Sequence, residues 1–365
     1  MMARTIVGAA AAGWEQGFQR GWEHGIRMGG CQAIMNRIPA ETWTMRDVKV
    51  LFIPQGFEAL DEGVIHAMQG MVREFHVAAA AEMVERANQL RPDFVLVLNG
   101  LHVFPEDHAA HVEQIRSMGI KTAIWFADDP YFSDFTASLA THYDYIFTHE
   151  LSCVPYYREL GNHQTYYLPL AVNTNIYKPM HVDISYQSDV CFIGNAFPNR
   201  IELFNRLVPF LADKKVMIAG ALWEKLDRYA LLKDRIRLQW IPIKESVKYY
   251  NGAKIVINVH RLTFDPDFNK NSRNLPAYSI NPRTFEISAC GTLQLTDIRH
   301  DLHDYYTPGH DIETFASPQE CISKMQHYLT HEEERRGIAL RGLRRTFTEH
   351  MFGKRLEQLL QIVFP

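Results

Sequence analysis

From residue 48 onward, short apolar runs alternate with amphipathic stretches, and each run ends in polar residues or glycine. "VKVLFIP" (48–54), "DFVLVLNG" (93–100), "TAIWFADDP" (122–130) and "YDYIFTHE" (143–150) read as buried strands. "DHAAHVEQIRSMG" (107–119) reads as a helix between two of them. This is the rhythm of strand–helix–strand units, which predicts a parallel sheet with helices on both faces. "YLPLAVNTNIYKPMHVDISYQ" (167–187) breaks the rhythm with two prolines and several turn formers, and reads as a linker. A second series begins with "DVCFIGN" (189–195), "IELFNRLVPFLA" (201–212) and "KVMIAG" (215–220). It continues through "RLQWIP" (237–242), "ESVKYYNGA" (245–253), "KIVINVH" (254–260) and "NPRTFEISACGTLQLTD" (281–297). In that last stretch Asn281 suits a helix cap, Pro282 the first helical position, Gly291 the helix end, and 292–296 a strand. The tail from about 317 is helical, and its final segment "FGKRLEQLLQIVF" is amphipathic. The expectation is two α/β lobes of similar size with a cleft between them, at 46–172 and 173–345. A helix at 346–365 returns to the first lobe.

Residues 1–45 form a separate segment. Gly13, Gly17, Gly21, Gly25 and Gly29 recur every four residues, with Trp14, Phe18, Trp22 and Ile26 each one position later. On a helix this makes a glycine groove beside an apolar ridge. Each glycine costs about 0.8–1 kcal/mol against alanine, so either another backbone approaches the groove closely or the segment is partly disordered. The reading is a docking device, either between two copies of the chain as a homodimer or onto the first lobe.

Length agrees with two domains, since 365 residues exceed one ordinary core. A formal net charge of −4 with both signs interspersed argues against a nucleic-acid-binding surface over the whole protein. The five cysteines are scattered, with no CxxC pair, which suggests neither a disulfide framework nor a zinc site. The apolar run near the start is too short for a secretion signal, and no stretch approaches the roughly 20 apolar residues of a membrane span. A cytoplasmic protein without a membrane span is expected.

In open parallel sheets, ligands collect beyond the carboxyl ends of the strands. "FIGN" therefore singles out Gly194 and Asn195, with Arg200 near the start of the next helix. Exposed amides, a helix N-terminus and an arginine suit a phosphate, although a glycine after a strand is more often only a turn. "NVHR" places His260 and Arg261 at another strand end, ahead of a long polar loop; a packed, hydrogen-bonded histidine is the plainer alternative. Arg283 and Glu286 stand one turn apart among Phe285, Ile287, Ala289 and Cys290. A simple i,i+3 ion pair explains them, but charge in so apolar a setting is costly unless something polar binds there. Asp128 and Asp129 end a strand of the first lobe. They lack the DxD spacing of a metal-bound sugar nucleotide; one suits a helix cap and the other a base or hydroxyl-binding group. His108/His111 and His300/His303 have HxxH spacing without a companion glutamate, which reads as solvated surface.

"WFADDPY", "YDYIFTHE", "YYLPLAVN", "DVCFIGN", "AKIVINVHR" and "NPRTFEISACGTLQLTD", in this order, resemble the CgeB-like spore-maturation glycosyltransferases over roughly residues 48 to 360. The resemblance implies two Rossmann-like lobes of the GT-B type, the second holding a nucleoside-diphosphate sugar and the first presenting the acceptor. It implies that Glu286 accepts hydrogen bonds from the donor ribose. Arg283, with Arg200 or Arg261, neutralises the leaving diphosphate, and Asn281 and Thr284 sit beside them. It also implies that Trp240 and Ile241, within "QWIP", lie at the nucleobase. The related family-4 pattern has a second glutamate eight positions before this one. Tyr278 stands there instead, so retention of configuration does not carry over. For an inverting reaction Asp129 is the expected base, with Asp128 beside it; for a retaining one the donor phosphate itself takes the proton and no base is needed; no metal or other cofactor is expected in either case. The implied function is transfer of a sugar from a nucleoside-diphosphate sugar to an unknown glycan or protein acceptor at a spore or cell surface. A nucleotide-sugar epimerase of the same fold and a non-catalytic spore-coat protein are the alternatives.

Overall fold

Continuous runs of buried residues build two separate six-stranded parallel sheets, one in each half of the chain. The computed structural model describes residues 2–365, with side chains from residue 11 on except at 16 and 20. Helix α1 (Met2–Met35) precedes the first sheet. That sheet holds β1 (Arg46–Ile53), β2 (Val72–Val77), β3 (Phe94–Leu98), β4 (Lys121–Phe126), β5 (Tyr145–Thr148) and β6 (Thr165–Tyr167), in the order β2-β1-β3-β4-β5-β6. Its helices are α2 (Glu58–Met68), α3 (Met83–Leu90), α4 (His108–Ser117), α5 (Ser133–Ala140) and α6 (Cys153–Glu159). The second sheet holds β7 (Ser188–Ile193), β8 (Val216–Ala219), β9 (Ile236–Arg237), β10 (Ala253–Asn258), β11 (Leu293–Asp297) and β12 (Glu313–Phe315), in the order β12-β11-β10-β7-β8-β9. Around it lie α7 (Pro198–Leu211), α8 (Ile243–Gly252), α9 (Pro282–Ala289), α10 (Leu302–Tyr305), α11 (Pro318–Thr330) and α12 (Glu332–Glu349). Central strands such as β3 are buried on both faces, as sheets covered by helices require.

Helix α13 (Phe352–Val363) crosses back as expected. Phe352, Leu356, Leu359, Leu360 and Val363 pack into the first-lobe core beside Val50, Phe52 and Trp125. Each such fully buried side chain contributes roughly 1.5–3 kcal/mol. The crossing begins where the amide of Val172 donates to the carbonyl of His350 at 3.1 Å. The loop at 262–280 is a second tie between the lobes. Glu150, at the end of β5, accepts the amides of Tyr278 at 3.0 Å and Ser279 at 3.1 Å. Asp134 of α5 accepts the Ser272 amide at 2.9 Å, and the Tyr131 hydroxyl donates to the Arg261 carbonyl at 3.2 Å.

The N-terminal segment departs from expectation. Helix α1 forms, but its docked half lies on the second lobe rather than the first. Gly30 meets Leu340 of α12, and Arg27 donates to the carbonyls of Cys290 and Gly291 at the C-terminal end of α9. A cation there complements the negative helix end. The glycine groove is open: among the described residues no atom outside the helix's own backbone lies within 4 Å of the Cβ position of Gly13, Gly17, Gly21, Gly25 or Gly29. Trp14, Phe18 and Trp22 stack at 5.5 and 6.5 Å along the same helix and are well exposed.

Candidate functional site

The carboxyl ends of β7, β8 and β10 face the carboxyl end of β4 across a cavity of about 350 Å³. Its second-lobe wall starts at Gly194 and Asn195, which follow β7 and lead into α7. Close packing fixes this turn. A Cβ at Gly220 would stand 2.2 Å from the Gly194 carbonyl oxygen, and Gly220 has φ +137, so only glycine fits there. The Trp223 indole donates to the same carbonyl at 2.9 Å.

Arg200, on the first turn of α7, is the buried centre of that wall. Its Nε and Nη2 donate to the Val259 carbonyl at 3.0 and 2.7 Å, and Nη1 donates to the Asn195 carbonyl at 2.8 Å. The rings of Phe192 and Phe197 flank it with centres at 5.5 and 5.1 Å. All these partners are neutral, so the positive charge is not cancelled. Burial, and then the charge of Arg283, push the Arg200 pKa down. Arg261 stacks on Phe197 at 4.5 Å and on Tyr131 at 5.0 Å. Its buried Nε has no hydrogen-bond partner among the described residues. Arg283 lines the same cavity from the first turn of α9 and hydrogen-bonds the Tyr250 hydroxyl. Trp240, exposed, and Ile241, buried, complete the wall in the loop before α8. Three guanidinium groups thus meet one cavity, and among the described residues Asp128 is the only carboxylate lining it.

Asn281 lines the cavity while it caps α9, accepting the Thr284 amide at 3.1 Å. Thr284 and His260 are not in the wall. The Thr284 hydroxyl lies against Asn258 at 3.2 Å inside the lobe. His260 is buried, its Nδ1 on Asp297 at 2.6 Å and its Nε2 accepting the Asn281 amide at 3.0 Å. Burial would raise the Asp297 carboxyl, but His260 and Arg299 hold it at about 2. His260 is therefore the packed, hydrogen-bonded histidine of the plainer reading, and it positions the α9 cap. Glu286 lies one turn behind Arg283 and outside the lining. Burial pushes its carboxyl up to about 7, against the opposing pull of Arg283 and a Tyr177 hydrogen bond. Arg283 and Glu286 form no ion pair among the described residues.

The two adjacent aspartates of the first lobe part company. Asp129, the expected base, is turned into the lobe and fully buried. The hydroxyls of Thr136, Thr148 and Tyr157 donate to it at 3.0, 2.6 and 2.7 Å. Burial raises its carboxyl to about 6 in spite of those bonds. No face of Asp129 is open to the cleft, so it serves the fold. Asp128 faces the cavity, and its Oδ2 accepts from Asn99 Nδ2 at 2.8 Å and from His102 Nε2 at 3.0 Å. Asn99 in turn accepts the amides of Ala127 and Asp128 at 3.0 and 3.1 Å. His149, buried at the end of β5, has no well-formed hydrogen bond on either ring nitrogen among the described residues, although the Ala127 and Asp129 backbone lies close enough to act on it. Asn99, His102 and His149 follow the same strand-end rule that selected the others; they were passed over because "NGLH" and "THE" match no motif. Among the HxxH pairs, His108 is buried on Gly100 and Tyr143 rather than solvated.

Comparison with known proteins agrees with this geometry. The family described as "Glycosyl transferase-like" matches residues 200–361, which span Arg200, α9 and the returning helix. The spore protein CgeB of Bacillus subtilis (strain 168) is 31% identical over 316 residues, covering 84% of this chain and 95% of its own. Among solved structures, Alr3699/HepE of Anabaena in complex with UDP-glucose superposes with a TM-score of 0.59 at 11% identity, over 87% of this chain and 99% of that one. Sucrose-phosphate synthase of Thermosynechococcus elongatus gives a TM-score of 0.59 at 12% identity over the same shares, 87% and 99%. These two establish the GT-B fold. No helix among the described residues is long and apolar enough to cross a membrane.

Proposed function

The chain belongs to the family of the spore protein CgeB, whose relatives are glycosyltransferase-like, and on that premise we propose that it moves a sugar from a nucleoside-diphosphate sugar onto an acceptor hydroxyl. One observation carries this: Arg200, Arg261 and Arg283 converge on a single cavity at the carboxyl edge of the second sheet, with their charges uncancelled from that side. A diphosphate is the anion such a site suits, because guanidinium groups hold it through charge-assisted hydrogen bonds and stabilise it as it leaves. The Asn195 amide, at the start of α7, adds a donor on the same side. Trp240 offers a face to the base. On the α9 side, Glu286, one turn behind Arg283, offers its carboxyl to the ribose diol. The arginines do the electrostatic work that a metal ion would otherwise do, so the proposed reaction needs none. The acceptor is a glycan or protein of the spore or cell surface, and the work is done in the cytoplasm.

Calorimetric titration with UDP, GDP, TDP and CDP tests the reading. One of the four should bind, and Arg283→Ala should weaken it about tenfold to a hundredfold, from the 1.5–3 kcal/mol of a hydrogen bond to a charged group. Binding of the bare nucleoside should change little. Equal loss of both ligands would remove Arg283 from the diphosphate, and no binding by any of the four would end the proposal.

For assembly we propose a pair of α1 helices. Groove and ridge share one four-residue period on one helix, so the ridge of one copy fits the groove of another, with axes crossing at roughly −50°. Gly21→Leu should fill the groove and lower the mass measured by light scattering; an unchanged mass would exclude the pair.

A further inference from the structure

The charges that line the cavity are unequal, and their balance selects a kind of sugar. Arg200, Arg261 and Arg283 bring three positive charges from the second lobe, and Asp128 brings one negative charge from the first. The other lining residues, among them Tyr131, Asn195, Trp240 and Asn281, are neutral, so two positive charges are left over. A nucleoside-diphosphate sugar carries two negative charges, because its diphosphate is esterified at both ends. A neutral sugar therefore closes the balance, whereas an anionic one adds a third negative charge with no lining cation to meet it. The neighbours behind the lining supply none. Arg299 is held by Asp297 at 3.5 Å, and Asp265 and Glu286 are acids. Burial lowers the Arg261 pKa, and Tyr131, Asp265 and Asp128 oppose it, so the charge of Asp128 is felt at the arginine wall.

Asp128 is also held in place. Asn99 accepts the amides of Ala127 and Asp128 at 3.0 and 3.1 Å and donates to Asp128 Oδ2 at 2.8 Å. His102 Nε2 meets the same oxygen at 3.0 Å. Both groups converge on Oδ2, and Oδ1 has no hydrogen-bond partner among the described residues. An ionised carboxylate only accepts. Oδ1 is thus suited to a hydroxyl and hostile to a second anion.

We propose that the donor sugar is neutral and hydroxyl-bearing, that Asp128 Oδ1 accepts one of its hydroxyls, and that the same carboxylate excludes sugars carrying an acid group. This rests on the donor-site reading above. The sugar extends from the diphosphate held by the arginines, and Asp128 is the charge that the facing wall presents to it. Discrimination of this kind combines an attractive contact to the right ligand with a repulsive one to the wrong ligand. One carboxylate supplies both. Asn99 and His102 are its positioning residues. The Asp128 hydrogen bond raises the His102 pKa against a smaller opposing effect of burial. At alkaline pH the ring is neutral, and the Asp128 charge acts on the sugar undiminished.

The test is calorimetric titration of the full chain at about pH 8.5, where imidazole is neutral. The ligands are whichever of UDP, GDP, TDP and CDP binds, and the glucose and glucuronate conjugates of that diphosphate. The two sugars share a ring and differ by one carboxylate. The wild-type protein should bind the glucose conjugate about tenfold to a hundredfold more tightly than the glucuronate conjugate, since like charges set close together are costly. Asp128→Asn keeps the shape and loses the charge. It should bring the two conjugates to nearly equal affinity and leave the free diphosphate as before, which also shows that the variant is folded. A purely structural aspartate would not change the ratio between two sugars. Equal or reversed affinities in the wild-type protein, or the wild-type ratio persisting in Asp128→Asn, would overturn this assignment while the diphosphate still binds. Failure of the wild-type protein to bind any diphosphate would overturn the donor site and, with it, this assignment.

Discussion

The two sheets share strand number, parallel pairing and a carboxyl edge at one cleft, yet they carry opposite charge there. On the second lobe the edge residues are arginines: main-chain carbonyls orient Arg200, aromatic rings flank Arg261, and Arg283 stands on the first turn of α9, each with its charge left for a ligand. On the first lobe they are carboxylates whose oxygens are turned on the protein's own donors: Asp129 on three hydroxyls, Glu150 on the amides of the 262–280 loop, Asp128 on Asn99 and His102. The contrast separates two uses of a strand end. A charge that lines the cavity is available to a substrate, whereas one turned inward onto several close donors has become part of the scaffold. Asp128 stands between the two cases, since its only ionisable partner is a half-exposed ring.

Variants on each wall sharpen or break this contrast. The largest effect is expected on the second lobe. Glu286→Gln keeps the shape and one acceptor but loses the charge, and should weaken diphosphate binding about tenfold to a hundredfold, since a hydrogen bond to a charged group is worth about 1.5–3 kcal/mol. Unaltered affinity in a folded variant would take Glu286 out of the donor site. On the first lobe Asp129→Ala should do the reverse. It strands three buried hydroxyls and should lower unfolding stability by about 1–3 kcal/mol in urea titration, with diphosphate affinity unchanged. A loss of affinity without loss of stability would return Asp129 to the cleft.

The smallest effect is on pH. Burial holds Asp129 at about 6 and Glu150 at about 7, both above their unfolded values of 3.8 and 4.5. The folded state therefore binds their protons more tightly. Their contribution is full below pH 4 and is lost as pH rises through 6 and 7. Asp297, held at about 2, runs the other way, and its contribution fades only as pH falls through 2. The share carried by Asp129 and Glu150 should decline between pH 4.5 and 7, while buried His108, His149 and His350, held at about 4, 4 and 3, add stability over the lower part of that range. Against wild type, Asp129→Asn should shift the slope of stability with pH in the positive direction between about pH 4 and 6, and an unchanged slope would place the titration elsewhere.

Much of this was legible from hydrophobic pattern. The long buried strands and the returning helix were clear because each is a continuous or strictly periodic apolar run. Strand β2 was missed because only one of its six residues is buried, which leaves no period to read. Strands β6 and β12 have three residues each, too few to carry a pattern. At the site, arginines after strands were found because a strand end predicts a position. Which way a side chain turns is decided by neighbours far along the chain. Asp128 and Asp129 are adjacent and chemically alike, and only Thr136, Thr148 and Tyr157, which the sequence does not tie to them, send one inward. His260 was misplaced for the same reason, since its partner Asp297 is 37 positions away.

Helix α13 has a consequence for the order of assembly. The ribosome releases a chain from its first residue to its last, yet the first lobe takes Phe352, Leu356, Leu359, Leu360 and Val363 into its core. The lobe made first therefore cannot close until residues 352–363 have emerged. By then the second sheet has been complete since Phe315. The N-terminal lobe matures last, and a chain cut short by even one helix leaves it with an apolar trough along α2 and the Trp125 face. Emergence of α13 is itself the step that joins the two halves of the cleft.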